Sequence, residues 1–297
     1  MRLEAKPVKI GINITHFKPE LDVVDVAKKV EDLGFDSFWL PEHIVVPLGN
    51  KAFEVQSSYF KTDDPAMVAI KSDNVDPYIG LAMSAAVTKR IIIGTSISLV
   101  AQHNPLDLAQ RIATLDHFSG GRFILGVGLG WLREEGEIMG VDYDHRWSQT
   151  KECIQVMKKL WSSNETEFHG EYYDFPFIRS YPKPVQKPHP PIYFGGTTEK
   201  VFKRIVTDGD GWFPTVKESL QEISAGRTIL NRIAVRANRD PTTIGMTMLG
   251  LPQDPDAIKQ YETAGVDRGI IGLPAPSGME VLDELEKIAS RVKEHLV

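Results

Sequence analysis

The chain of 297 residues contains a single cysteine, so no disulfide can form within it. Cys153 belongs to an apolar helical stripe with Ile154, Met157, Leu160 and Trp161, a pattern that predicts a buried thiol rather than a reactive one. A chain with so little cysteine fits a reducing compartment. We therefore expect the protein in the cytoplasm.

Long apolar runs and blocks of charge are also missing. No run approaches the roughly 20 residues needed to cross a bilayer, and the charged stretch from Met1 to Lys9 is not a signal peptide. The 34 Lys and Arg residues and 40 Asp and Glu residues are scattered and give a net charge of -6. A mild acidic excess predicts neither nucleic acid nor membrane as a partner.

Several catalytic motifs are absent from the sequence. There is no His-x-x-x-His, no Glu-x-x-His and no clustered Asp pair, so we expect no metal site. There is no Gly-x-Ser-x-Gly nucleophile elbow either. The glycines from Gly126 to Gly130 have the wrong spacing for a dinucleotide fingerprint, and no helix starts directly after them. Small residues at a strand end favour instead a flat ring lying close to the backbone.

What the sequence does have is a regular alternation of strand and helix patterns. With 42% hydrophobic residues it can form a sizeable core. Alternating units predict a parallel sheet, and about eight of them predict a closed barrel. We predict an α/β fold, a (β/α)8 TIM barrel formed by one domain over residues 1–297. Its strands are predicted at 8–14, 37–40, 91–98, 123–127, 192–194, 211–213, 244–249 and 269–273.

Two segments interrupt the alternation and are predicted to be insertions. Residues 44–74, after the second strand, are rich in Pro, Gly, Ser and Asp, and loops of this length are usually functional lids. Residues 162–190, before the fifth strand, hold many aromatics and prolines without a clear period. Their aromatic content is too high for a disordered linker, so we expect this segment to pack over the barrel.

The active site of such a barrel lies at the carboxyl ends of its strands. His43 follows the second strand, and imidazole can exchange a proton at neutral pH or stabilise a developing anion. It is our first candidate for catalysis. The alternative is a hydrogen-bonded structural histidine, and that alternative weighs more for His16 and His103, which follow the first and third strands.

A second signal is Gly195-Gly196-Thr197, which follows a strand and opens a helix. Backbone N–H groups and the helix dipole favour phosphate at such a position. Gly-Gly also serves any tight turn between a strand and a helix, so both interpretations stay open.

As an ordered set, nine segments resemble the luciferase-like monooxygenase superfamily, and within it the branch of oxidoreductases that depend on the deazaflavin F420. They are Ser37–His43, Gly94–Ser96, Asn104–Asp116, Ser119–Trp131, Arg146, Pro182–Pro184, Pro188–Pro191, Gly195–Gly196 and Asp210–Trp212.

The resemblance implies a barrel that holds F420, or alternatively FMN, at its mouth. It implies a non-proline cis peptide between Ser96 and Ile97 beside the cofactor ring, and a catalytic His43 near the reactive ring carbon. It also implies a homodimer and an external F420 or flavin reductase. The expected cofactor-binding residues are Glu42, His43, Ser96, Ile97, Asn104, Gly128, Gly130, Gly195, Gly196 and Thr197.

The chain departs from the family pattern at one position. Some F420-dependent sugar dehydrogenases carry an acidic proton donor beside the Gly-x-Gly turn, where this chain has Leu129, Gly130 and Trp131. That departure argues against sugar-phosphate oxidation. We expect an F420-dependent oxidoreductase acting on a small organic molecule. The alternatives are a two-component monooxygenase that uses reduced FMN and O2, a non-catalytic cofactor-binding protein and a non-redox barrel enzyme.

Overall fold

The computed structural model describes residues 7–15, 21–48, 54, 74–214, 219–273 and 278–296. Eight parallel strands close into a barrel in the order β1, β2, β3, β4, β7, β8, β9, β10, and β10 pairs back onto β1. The predicted (β/α)8 fold is therefore confirmed. The barrel strands are β1 Lys9–Asn13, β2 Ser37–Leu40, β3 Ile92–Thr95, β4 Phe123–Val127, β7 Ile192–Gly195, β8 Gly211–Phe213, β9 Gly245–Leu249 and β10 Arg268–Gly272.

Helices follow the strands and form the outer layer. They are α1 Val23–Asp32, α2 Pro77–Val87, α3 Pro105–Ser119, α4 Arg133–Ile138, α5 Arg146–Ser162, α6 Glu199–Asp208, α7 Leu220–Arg236, α8 Pro255–Thr263 and α9 Gly278–Arg291. Local signals set their ends. The Asp22 side chain accepts the N–H of Val24 at the start of α1, and Gly120 ends α3 in the left-handed conformation that favours glycine.

The core has two layers. The larger one lies between the strands and the helices, and it includes Cys153, which is fully buried and donates to the carbonyl of Val100 at 3.4 Å. Burial raises the pKa of this thiol to about 12, so it stays protonated, as the sequence predicts. The smaller layer fills the barrel, where the Trp39 and Phe213 rings meet edge to face at 5.6 Å from strands that are not neighbours.

The insertion before the fifth barrel strand contains an antiparallel hairpin, β5 Thr166–His169 and β6 Asp174–Ile178. Phe168 and Phe175 stack at 6.1 Å and join the main core. At the turn, the Glu152 carboxylate accepts N–H groups from Glu171, Tyr172 and Tyr173. The segment is thus packed, as expected. Its two strands are too short to produce a visible period in the sequence.

The sequence did not indicate α4, a six-residue helix after β4 that carries residues of the site described below. Most of the predicted insertion 44–74 lies outside the described residues, as does His16. Within the part of the chain that is described, no helix is long and apolar enough to cross a membrane.

Candidate active site

Polar side chains gather where β2, β3 and β4 end, on the barrel face where all strands point their carboxyl ends. The centre of this group is His43, whose side chain is 14% exposed. Its Nδ1 lies 2.7 Å from Oε2 of Glu135 on α4. The other oxygen, Oε1, accepts the N–H of Ile44 at 3.1 Å. The Trp131 ring packs edge-on against the imidazole with centroids 5.5 Å apart. His43 is therefore held by its Nδ1 edge.

Glu42 points into a second, buried network. Its Oε2 accepts the Ser98 hydroxyl and the Leu99 N–H, each at 2.7 Å. Its Oε1 lies 2.9 Å from Nε2 of His103. The Tyr78 hydroxyl is 2.6 Å from Ser98 Oγ. Burial, aided by the Glu42 charge, raises the pKa of Tyr78 well above its usual value, so its hydroxyl stays protonated and donates. Both carboxylate oxygens of Glu42 thus fix the segment after β3.

That segment contains the non-proline cis peptide bond between Ser96 and Ile97, which the resemblance implied and the structure confirms. Asn13 at the end of β1 donates through Nδ2 to Ser96 Oγ at 2.6 Å and to the carbonyl of Trp39 at 3.1 Å. Ser98 then pairs with Val127 beyond the end of β3. Hydrogen bonds from three strands therefore define the backbone on both sides of this bond.

The Ile97 side chain closes the top of the barrel interior. It packs against the inner cluster and stays partly exposed. A Cβ placed on Gly128 would lie 1.7 Å from Ile97 Cδ1, so a larger residue there would require the Ile97 side chain to move. A Cβ on Gly195 would lie 3.7 Å from the same atom, which is ordinary contact. Ile97, Gly128 and Gly195 thus lie together at the mouth, where the two glycines add no side chain.

The turn after β7 combines glycine with a helix start. Gly196 has φ +106°, which L side chains rarely adopt, and its carbonyl accepts the indole N–H of Trp212 at 2.7 Å. Thr198 begins α6 and accepts the Val201 N–H at 3.4 Å. Thr197 is exposed. The turn therefore joins the end of β7 to the start of α6 at the mouth.

Two arginines lie close to this turn without a carboxylate partner among the described residues. The Arg204 guanidinium lies 3.9 Å above the Trp147 ring, which contacts Phe194, the residue before Gly195. Burial lowers the pKa of Arg204, and the positive charge of Arg146 lowers it further. The two guanidinium groups are therefore near each other. The buried Nε of Arg146 has no hydrogen-bond partner. Two cationic groups thus lie on this side of the mouth.

An open cleft of about 600 Å³ lies at the ends of β1, β9 and β10. Its walls are mainly apolar and meet the polar side of the mouth at Asn13. This volume is in the usual range for small-molecule sites. The lining residues are Asn13, Leu249, Gly250, Leu251, Pro252, Gln253, Ile271 and Gly272.

The structure places the predicted site residues at the end of the barrel where the strands finish, and two of the sequence candidates there make contacts within the fold. Asn104 is exposed, and its side chain accepts the Leu106 N–H as the cap of α3. His103 is bound to Glu42, which fits the structural alternative. Among the described residues no group of three or more His, Cys, Asp or Glu side chains could hold a metal.

Sequence reasoning missed Glu135. The only local signal was a pair of acidic residues, Glu134 and Glu135, shortly after the glycine turn. Nothing in the sequence distinguishes which of the two turns inward. Glu135 is fully buried, whereas Glu134 is half-buried.

The comparisons with known proteins now decide the family. The family model described as luciferase-like monooxygenase matches residues 16–261 of the chain. The chain belongs to the luciferase-like monooxygenase family. An uncharacterized protein of Mycobacterium tuberculosis is 32% identical to it over 267 residues, covering 90% of this chain and 92% of the relative.

Relatives with described activities use two different cofactors. An F420-dependent glucose-6-phosphate dehydrogenase of Amycolatopsis mediterranei is 29% identical, covering 72% of this chain and 59% of the relative. An FMNH2-dependent dimethylsulfone monooxygenase of Pseudomonas putida is also 29% identical, covering 60% of this chain and 49% of the relative. Members of this luciferase-like family are oxidoreductases, and a flavin or deazaflavin cofactor is the common element.

Solved structures share the fold of this chain. A monooxygenase of Streptomyces bottropensis has a TM-score of 0.74 and 19% identity, covering 97% of this chain and 99% of the other. The F420-dependent tetrahydromethanopterin reductase of Methanopyrus kandleri has a TM-score of 0.72 and 17% identity, covering 98% of this chain and 100% of the other. At these identities the likeness concerns the fold alone.

Proposed function

We propose that this luciferase-like protein is an F420-dependent oxidoreductase that transfers a hydride between the deazaflavin and a small organic substrate. The observation that carries the proposal is the His43–Glu135 pair at the mouth. Moving a hydride to or from a polar bond also requires moving a proton, and an oriented imidazole beside the reacting atoms can do this at neutral pH. A second such pair lies at the mouth, His103 with Glu42, but there Nε2 is the nitrogen that is bonded, whereas in His43 the bonded nitrogen is Nδ1.

The residues present fit such a cofactor. Ile97, Gly128 and Gly195 offer an apolar surface for one face of a tricyclic ring. The N–H groups of the turn at Gly196 and the arginines Arg146 and Arg204 suit a phosphate and further carboxylates. When bound, the deazaflavin supplies the carbon that accepts or releases the hydride.

The chain's own groups supply the remainder of the chemistry. His43 receives or returns the substrate proton at Nε2, because Nδ1 is bonded to Glu135. Trp131 packs against the imidazole and keeps water from one of its edges. The cleft beside Asn13 takes the substrate, and its apolar walls favour an apolar part in that molecule.

An FMN-dependent monooxygenase is the second candidate. It is supported by the Pseudomonas putida relative, whose cofactor is reduced FMN. The same ring surface and phosphate turn would serve FMN. The two candidates differ in the length and charge of the anionic tail, since F420 carries carboxylates beyond its phosphate.

A binding titration of the purified protein with F420 and, separately, with FMN tests the proposal by fluorescence. We expect F420 to bind at least about tenfold more tightly, which corresponds to about 1.4 kcal/mol. The reverse preference would support the monooxygenase. Binding of neither would contradict both candidates.

We further propose that a separate reductase or dehydrogenase recycles the cofactor, that the protein acts in the cytoplasm, and that it forms a homodimer. The resemblance implies the dimer. Helix α2 fits this proposal, because it carries no charged residue and exposes Ile79 and Met83. Light scattering on the eluted protein would contradict the dimer if it gave the mass of one chain.

A further inference from the structure

We infer that Glu135 is a positioning residue that fixes the neutral His43 ring in one tautomer, with hydrogen on Nδ1 and a lone pair on Nε2. The inference concerns this chain's own residues, and its catalytic consequence rests on the proposed function. Glu135 was in none of the sequence-based site assignments.

The two hydrogen bonds of Glu135 have a defined direction. Glu135 Oε1 faces the N–H of Ile44 at 3.1 Å, and a backbone N–H can only donate. Glu135 Oε2 faces Nδ1 of His43 at 2.7 Å. An ionised carboxylate only accepts, so the ring must donate from Nδ1. In the neutral imidazole the other nitrogen then has no hydrogen.

Burial makes this preference strong. The Glu135 side chain is fully buried and the His43 side chain is 14% exposed, so water competes little for the carboxylate oxygens. An unsatisfied buried donor or acceptor costs about 1–3 kcal/mol, and more for a charged group. The opposite tautomer would place a lone pair of Nδ1 against the carboxylate.

The backbone adds to this effect. Because His43 and Ile44 are adjacent in sequence, one carboxylate holds both the ring and the chain that carries it. Among the described residues Nε2 has no hydrogen-bond partner, and it is not a buried orphan. Glu135 therefore leaves Nε2 free as an acceptor for a donor group of a ligand.

A substitution of equal size should invert the tautomer. In Glu135→Gln the amide oxygen can accept from only one of the two donors. If it accepts the Ile44 N–H, the amide NH2 faces Nδ1 and donates to it. Nδ1 then carries the lone pair and Nε2 carries the hydrogen. The variant thus changes the hydrogen at Nε2 without removing a side chain.

Nitrogen NMR of the unliganded protein labelled with ¹⁵N-histidine provides the test. It is recorded at alkaline pH, and the signals of His43 are identified by their loss in His43→Gln. We expect wild type to show a protonated Nδ1 and an unprotonated Nε2, and Glu135→Gln to show the reverse. Glu137→Gln on the same helix is the control, because Glu137 is exposed and pairs with Arg133; it should match wild type.

A protonated Nε2 of His43 in the wild-type spectrum would overturn the inference. This result does not depend on whether Glu135→Gln folds. An unchanged tautomer in a folded Glu135→Gln would also overturn the inference. With F420 bound, the inverted tautomer should lower kcat about 10²-fold or more, the usual contribution of general acid–base catalysis, with little change in F420 affinity. An inverted tautomer with unchanged kcat would support the positioning role and contradict the proposed function of His43.

Discussion

The two ends of the barrel each hold a buried glutamate that collects hydrogen-bond donors. At the end where the strands begin, Glu31 accepts backbone N–H groups of Lys89, Arg90 and Ile91, and it joins α1 to β3. At the mouth, Glu135 accepts one backbone N–H and one imidazole nitrogen. The hydrogen bonds of Glu31 join two elements of the fold, whereas those of Glu135 orient a titratable ring.

Neighbouring contacts follow the same division. Arg122, at the end where the strands begin, donates to four carbonyl groups and to the Thr88 hydroxyl, so its hydrogen-bonding capacity is used within the fold. At the mouth, Nε2 of His43 and Nε of Arg146 have no partner among the described residues. These two unused groups at the mouth indicate where a ligand is expected.

The largest expected effect comes from removing the ring at the mouth. His43→Ala should lower turnover about 10²–10⁴-fold, because it removes the group that moves the proton. Affinity for F420 should change little. Steady-state kinetics and a fluorescence titration measure the two quantities. Unchanged turnover would exclude His43 from the mechanism and weaken the contrast between the two ends.

A matched pair of glycine substitutions sharpens the comparison. Gly196, at the mouth, has φ +106°, and a Cβ would lie 3.2 Å from Val201 Cγ2; Gly120, at the other end, has φ +70° and open space around it. Either change to Ala should cost about 1–3 kcal/mol of stability through backbone strain.

Only Gly196→Ala should weaken F420 binding, because the strained turn reorients its N–H groups. Loss of one charged hydrogen bond of about 1.5–3 kcal/mol corresponds to roughly 10- to 150-fold in Kd. Thermal unfolding and a cofactor titration give both values for each variant. Equal affinity in Gly196→Ala and Gly120→Ala would mean that the phosphate lies elsewhere.

The smallest expected effect lies at the end away from the mouth. Burial alone raises the pKa of Glu31, but the N–H groups of Arg90, Ile91 and Lys89 outweigh burial and lower this pKa below its usual 4.5. A lowered pKa stabilises the fold above pH 4.5, and this stabilisation is lost as the pH falls through the folded-state value.

Glu31→Gln should therefore lower the free energy of unfolding by about 2 kcal/mol at pH 7. The difference from wild type should shrink below pH 4.5, and turnover of the folded variant should stay near that of wild type. Urea unfolding at pH 7 and pH 4 measures the difference. A gap that is constant with pH would show that the carboxylate charge contributes nothing.

Most of the barrel could be predicted from the sequence, since parallel strands buried on both faces form short apolar runs and each helix has an apolar face. Ser37–Leu40, Phe123–Val127 and Gly211–Phe213 are confirmed residue for residue. The hairpin at 166–178 and the short helix α4 could not be predicted, because neither is long enough to show a period.

The candidate site was predictable only in its position. The rule for strand ends selects His43, His103 and Gly196, but it does not specify which side chains meet. Glu42 was expected to contact the cofactor, and this stays a prediction; its carboxylate is hydrogen-bonded to the segment after β3.

The sequence by itself determined the barrel, the family and the end of the barrel where the candidate site is proposed, because these depend on periodicity and on short segments of local sequence. Only the tertiary structure decided that Glu135 meets His43, 92 positions away. That contact depends on where α4 lies against the end of β2. The physical reason is that donors and acceptors are paired by distance in space, and no local pattern encodes which buried carboxylate a given ring will face.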